Sequence, residues 1–461
     1  MLRRDMEVRL APMASKCPVN LQLGDRRIQM TSTFPHTVRV TNVHYSGTLA
    51  ANHDAASGET VASPSAVINP VLTTPNLLAV DDSYFSFQRL RPFPHPIWKP
   101  HLALYWVFEL AFGLLSLFAM LAFLAAIPVV NFMALGYLLE AEGRVARTGK
   151  LRYAMPLLAL APKLGGIVAG VSIWWWIVHL MADAASDARI IAPGTAVSFG
   201  WRMALMAFAM VVATHVVLAI ARGGRLGLFF WPTPLNALWL RKQLRKGDYL
   251  DKASLAVREF VSALRLQYHF WLGLRGFVFA FAWLAIPTAL FATLRDTSKP
   301  GQVILTLIGG FVLSVVLSWV PFLQANFAVE GRWQAAFELK KIREMFRRAP
   351  LVMVLSLIVM YALSLPLYLF KIPALPRDVY WLFTPIFIVS IYPAKILIGW
   401  AYACAMKREQ RTWLLLRWPL YILLTAVLIF YVFLLFFTRA ICAGGTAVLF
   451  QHHGILLPWP L

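Results

Sequence analysis

From His101 onward the chain is a succession of long apolar runs, among them Val303 to Ala328, Leu351 to Phe370 and Leu420 to Phe437, separated by short basic segments. About 18 apolar residues in a row are enough to cross a hydrocarbon core of roughly 30 Å as a helix. Only helices and closed barrels satisfy their backbone groups inside lipid. The expected fold class is therefore all-α, a polytopic transmembrane helical bundle. Composition agrees, with 59% of the 461 residues apolar and 14% charged, against about 25% charged in an ordinary soluble domain. A soluble globule of this size would lack the polar residues to cover itself.

The runs predict about eight spans, Leu102 to Leu124 (continuing past Pro128 to Leu139), Leu164 to Met181, Met203 to Ile220, Phe277 to Leu294, Val303 to Ala328, Leu351 to Phe370, Tyr380 to Met406 and Leu420 to Phe437. Pro128, Pro287, Pro321, Pro366 and Pro393 fall inside them, where each removes a backbone hydrogen bond and kinks its helix. Residues 101–461 form this transmembrane domain. Residues 1–100 are rich in Ser, Thr, Asn and Pro, show no sustained apolar period through Ser86, and read as a disordered tail without a signal peptide. Met30 is an alternative start within it.

Lys and Arg number 43 against 21 Asp and Glu, a net charge of +22. Their positions point to a membrane and not to nucleic acid. Segments 140–163, 221–276, 329–350 and 407–419 hold 25 Lys and Arg, whereas the alternate segments 182–202, 295–302, 371–379 and 438–461 hold 7. Basic loops stay on the cytoplasmic side, so the first set is expected inside. The long first run leaves two topologies open, a single crossing or a hairpin broken at Pro128 with the N-terminal side inside. Kinked runs containing Pro128, Pro321 and Pro393 exit into Glu142-Gly143-Arg144, Glu330-Gly331-Arg332 and Lys407-Arg408-Glu409, a loose internal repeat or simply helix ends leaving the bilayer.

Two basic segments carry helical apolar stripes. In 251–275 the stripe is Val257, Phe260, Val261, Leu264, Tyr268 and Trp271; in 333–348 it is Ala335, Leu339, Ile342 and Phe346. They read as cytoplasmic interfacial amphipathic helices that prefer anionic lipids of the inner leaflet, or as helices packed under the bundle. The partners expected are the lipid bilayer and other membrane proteins.

The stretches 135–140 (LGYLLE) with Glu142-Gly143-Arg144, 328–333 (AVEGRW) with 347–350 (RRAP), and 449–452 (LFQH) resemble an uncharacterised bacterial, planctomycete-type family of multi-spanning integral membrane proteins with a domain of unknown function. The resemblance covers most of 102–461. It implies a cell inner membrane location and brings no catalytic residue or cofactor.

Catalytic motifs are missing: there is no phosphate loop, dinucleotide fingerprint, His-Glu-x-x-His or Gly-x-Ser-x-Gly. Cys17, Cys404 and Cys442 have no metal or redox spacing. No cofactor is expected. Three weaker patterns remain. His179, Asp183 and Asp187 stand at i, i+4 and i+8 and would share a helix face as a cation site, the alternative being a solvated helix end. Lys395, deep in its span, either lines a polar pocket for an anionic ligand or is held structurally by the bundle. Gly166 and Gly170 would admit a close helix, and Asn131, His215, Gln324 and Asn326 would bridge helices, while His452 and His453 fall in an outside tail. The reading is a non-catalytic membrane component or assembly partner. A transporter or permease subunit, or a membrane-embedded lipid-modifying enzyme, are the alternatives.

Overall fold

Proline places the helix starts along the membrane domain, since its fixed φ suits the first turn and its missing N–H is not needed there. In a computed structural model, Pro100 opens α1 (Pro100–Ala126), Pro300 opens a later helix, and Pro350 opens another. The structure describes residues 93–94 and 98–458, apart from 231–232, 248, 297 and 373–378, together with the backbone of 19–23, 26–33 and 37–43.

The N-terminal unit, residues 1–73, holds an antiparallel meander of β1 (Val19–Leu23), β2 (Arg26–Thr33) and β3 (Thr37–Val43), with Val19 opposite Met30 and Thr33 opposite Thr37. Short alternating runs such as Val19-Asn20-Leu21-Gln22-Leu23 carry the period of a strand. The rest of that tail, apart from residues 93–94 and 98–100, lies outside the described residues.

The second unit is helical. After α1 come α2 (Asn131–Thr148), α3 (Ala161–Ile191), α4 (Ala196–Ala221), α5 (Thr233–Leu244), α6 (Tyr249–Leu264), α7 (Leu266–Phe291) and α8 (Pro300–Glu330). α9 (Leu339–Arg348), α10 (Pro350–Ser364), α11 (Tyr380–Lys407) and α12 (Leu414–Ile441) complete it. Among the described residues, eight helical segments are long and apolar enough to cross a membrane. They are α1, α3, α4, α6 with α7, α8, α10 with its continuation to Lys371, α11 and α12.

Pro128 ends the first helix outright, with Val129 at φ 68°. Phe118 of α1 and Tyr137 of α2 both lie against the ring of Tyr392, at 5.3 and 6.2 Å between centroids. A straight helix would separate residues 118 and 137 by about 28 Å. The chain therefore doubles back, and the hairpin is the topology adopted. α2 then runs alongside α11 in the same direction, with Glu142 at Lys395 and Gly149 at Lys407.

α2 is not among the apolar spans, yet every residue from Ala134 to Ala146 is buried. Glycine makes this possible. A Cβ at Gly136 would overlap the His269 carbonyl of α7, and one at Gly273 would overlap the Phe132 carbonyl of α2. Gly143 faces Ala328 of α8, and Gly399 of α11 faces the Glu142 backbone. Three helices, α7, α8 and α11, thus close on α2 at backbone distance, the arrangement that small residues allow in membranes.

Other expectations need correction. The amphipathic helix read over 251–275 breaks at Arg265, φ 47°, so Tyr268 and Trp271 belong to α7, and α6 has no buried residue. α9 turns Ile342, Met345 and Phe346 into the bundle, the packed alternative for that segment. Pro366 lies in a 3-10 turn, while Pro385 and Pro419 join Pro287, Pro321 and Pro393 inside helices. The internal repeat has no common structure, because Gly143 is a mid-helix contact and Gly331 a left-handed helix end at φ 69°. Gly166 and Gly170 pack against Leu226 and Phe229 of the same chain, which occupies the face a second copy would need.

A candidate buried charge site

Lys395 is held in α11 two residues past Pro393 and is 1% exposed. An isolated ammonium at that depth is costly, so the bundle must supply a counter-charge or acceptors. Both are present. Its Nζ lies 3.4 Å from Oε2 of Glu142, itself fully buried in α2, and donates a hydrogen bond to Oε1 of Gln324 in α8. The Gln324 amide donates in turn to the Ile455 carbonyl at 2.8 Å and to the Gly276 carbonyl of α7 at 3.4 Å. Glu142 has charge compensation, but neither of its carboxylate oxygens accepts a hydrogen bond from the described residues. The pair is held by attraction rather than by an aligned donor.

Ile455 belongs to a segment that folds back after α12. Residues 445–450 form a 3-10 turn, and His452 through Leu456 are buried in the bundle. The reading of His452 and His453 as an exposed tail is thus corrected: they are 2% and 1% exposed. His452 Nε2 meets the Thr288 hydroxyl of α7 at 3.0 Å, and His453 sits between the rings of Tyr368 and Phe387 at 4.8 and 4.9 Å. Gln451 accepts from Lys371. Irregular backbone is tolerated at membrane depth where protein surrounds it, which is the case here.

A second network lies toward the basic loops. Tyr402 donates to Asn326 at 2.7 Å, whose amide donates to the Ala335 carbonyl and to Glu338 at 2.8 and 3.1 Å. Glu330 pairs with Arg332 and Lys341. On α2, Glu140 pairs with Arg144 at 2.7 Å and accepts from Tyr268 at 2.9 Å, while Arg147 reaches the Ala328 carbonyl at 2.9 Å. Of the four polar residues expected to bridge, Gln324 and Asn326 do so, and His215 binds the Phe229 carbonyl at 2.7 Å. The Asn131 side-chain oxygen has no hydrogen-bond partner among the described residues.

His179, Asp183 and Asp187 do share a face of the continuous α3, but all three are exposed and His179 stacks on Trp175. Eight residues of helix extend about 12 Å, too far for one ion to gather both ends. Among the described residues no three His, Cys, Asp or Glu side chains converge on a metal-sized site.

Glu142 is the buried counter-charge of Lys395 that the sequence pattern does not single out. The sequence puts it in a cytoplasmic loop, because charge after an apolar run normally marks the membrane edge. The available signal was its setting, Gly136, Ala141 and Gly143, a small-residue face that implies close helices around any charge within it. No family model, curated protein or solved structure matches the chain.

Proposed function

We propose that this multi-pass membrane protein is a non-catalytic component of a bacterial inner membrane, an assembly partner whose buried charges hold its own bundle in register. One observation carries the reading. Lys395 is enclosed by Glu142, Gln324 and the returning C-terminal segment, so the deepest charge in the bundle is spent on the chain itself. A carrier would present its midplane site to a substrate from at least one side.

The resemblance to the planctomycete-type family supports the inner membrane as location, and the basic loops support a cytoplasmic face carrying α5, α6 and α9. Partner proteins would meet the α3–α4 hairpin, where Trp175, Trp176, Phe199 and Met210 are exposed apolar side chains. A second reading, a transporter or permease subunit, is favoured by the Glu142 oxygens that lack donors and by prolines inside α7, α8 and α11.

Purification of the full chain in a mild detergent, followed by quantitative mass spectrometry, separates the two. Stoichiometric membrane proteins that leave when Trp175 and Trp176 are both replaced by Ala are the expected result. A lone chain whose melting temperature rises with a small anionic solute would instead support the transporter.

A further inference from the structure

A cleft of about 500 Å³ runs between α8 and α12 beneath the end of α9. Its lining is ordered by polarity along the helix axes. Arg343, Arg347 and Arg417 stand at the mouth, Trp319 and Trp418 lie just below, and Val315, Leu424, Leu428 and Ile429 line the depth. The serine and threonine hydroxyls that fall within it are turned back on their own helices, Ser314 donating to Gly310, Ser318 to Val315 and Thr425 to Tyr421 at 2.9, 2.7 and 2.8 Å, and the Tyr421 hydroxyl donates to the Phe346 carbonyl of α9 at 3.1 Å. The depth is thereby left apolar.

The arginines at the mouth are unevenly satisfied. Arg347 has Glu344 at 3.6 Å. Arg343 and Arg417 have no acidic partner among the described residues, and Arg417 Nε is buried without any acceptor. Unpaired guanidinium groups above an apolar slot, with tryptophan at the level between, match the order of charge and hydrocarbon in a phospholipid. From Arg417 to Ile429 the α12 wall measures about 18 Å, close to the extended length of one acyl chain.

We propose that this cleft binds an anionic diacyl phospholipid, its phosphate held by Arg343 and Arg417 and one acyl chain lying between α8 and α12. The assignment rests on the reading of this chain as a membrane component with its basic face at the headgroups. It extends that reading from general attraction to one occupied site.

The test uses the full chain in detergent, where both faces are accessible, so an inverted orientation or a transport activity leaves its outcome unchanged. Native mass spectrometry after exposure to dioleoyl phosphatidylglycerol or dioleoyl phosphatidylcholine counts retained lipid. Phosphatidylglycerol is expected to persist where phosphatidylcholine is lost. The combined Arg343→Gln and Arg417→Gln variant, still monodisperse, is expected to bind it roughly thirty-fold more weakly. Ile429→Trp fills the slot with the charges intact and should also release it, whereas Arg245→Gln, outside the cleft, should not. Equal retention of the two lipids, retention unaffected by either cleft variant, or displacement by millimolar inorganic phosphate would overturn the proposal, the last by showing a free-anion site. A copurifying protein that fills the cleft and excludes lipid would overturn it as well.

Discussion

Helix α2 and the α3–α4 hairpin invert the rule by which soluble proteins are read. α2 carries Glu140, Glu142, Arg144 and Arg147 and is enclosed from Ala134 to Ala146, whereas the strongly apolar α3 buries only Ala161, Gly166, Gly170 and Ala185. In water the apolar helix would be the core. In a bilayer lipid is as apolar as leucine, so burial of hydrocarbon gives no preference between protein and lipid, and polar groups decide which helix is central. Charges that can be satisfied only by other helices draw those helices around them.

That contrast is broken most severely at the glycine crossings. Gly136→Leu places a side chain into the α7 backbone and is expected to abolish the monodisperse, folded protein; Gly200→Leu in α4, where a Cβ meets nothing within 4 Å, is expected to leave it intact. Detergent gel filtration of fluorescent fusions reads both. Equal tolerance would mean that α2 is not the centre.

Next in size are the buried charges. Removing one partner of a buried pair typically costs about 3–5 kcal/mol, so Lys395→Met and Glu142→Gln should each lower the melting temperature sharply. By contrast Asp183→Ala, on the exposed face of α3, is expected to leave the melting temperature unchanged with or without added divalent cations. A shift specific to one cation would restore His179, Asp183 and Asp187 as a site.

The smallest effect belongs to the surface. Glu344 accepts from Arg411 at 2.9 and 3.1 Å, and that hydrogen bond is the main cause holding its carboxyl below the ordinary range. A carboxyl with a lowered folded pKa contributes its stability fully above the unfolded value, about 4.3, and loses it as pH falls through the folded one. Glu344→Gln should therefore melt slightly below the parent protein at neutral pH, with the gap closing in acid. A gap that widens in acid would contradict the assignment.

Much of this was legible in the chain. Spans, basic loops and the prolines at Pro287, Pro321 and Pro393 follow from hydropathy and from the missing amide hydrogen of proline, both properties of the residue itself. The core was not, because it depends on partners distant in sequence. Glu142 resembled a loop charge until α11 supplied Lys395, and the 452–456 segment resembled an outside tail until Gln324 and Thr288 supplied its hydrogen bonds. Arg265, whose positive φ separates α6 from α7, is a third case. Nothing in the periodicity of Val257 to Trp271 marks the break, which lies where the chain turns from the exposed α6 into α7.

The central claim, that Glu142 and Lys395 form one structural pair enclosed by the chain, is tested most directly by a double-variant cycle read as thermal stability in detergent. Each single change, Glu142→Gln or Lys395→Met, leaves the other charge buried alone. The expected result is that the protein carrying both melts above either single variant, since no unpaired charge remains. Losses that simply add, or a Lys395→Met protein as stable as the parent, would contradict it.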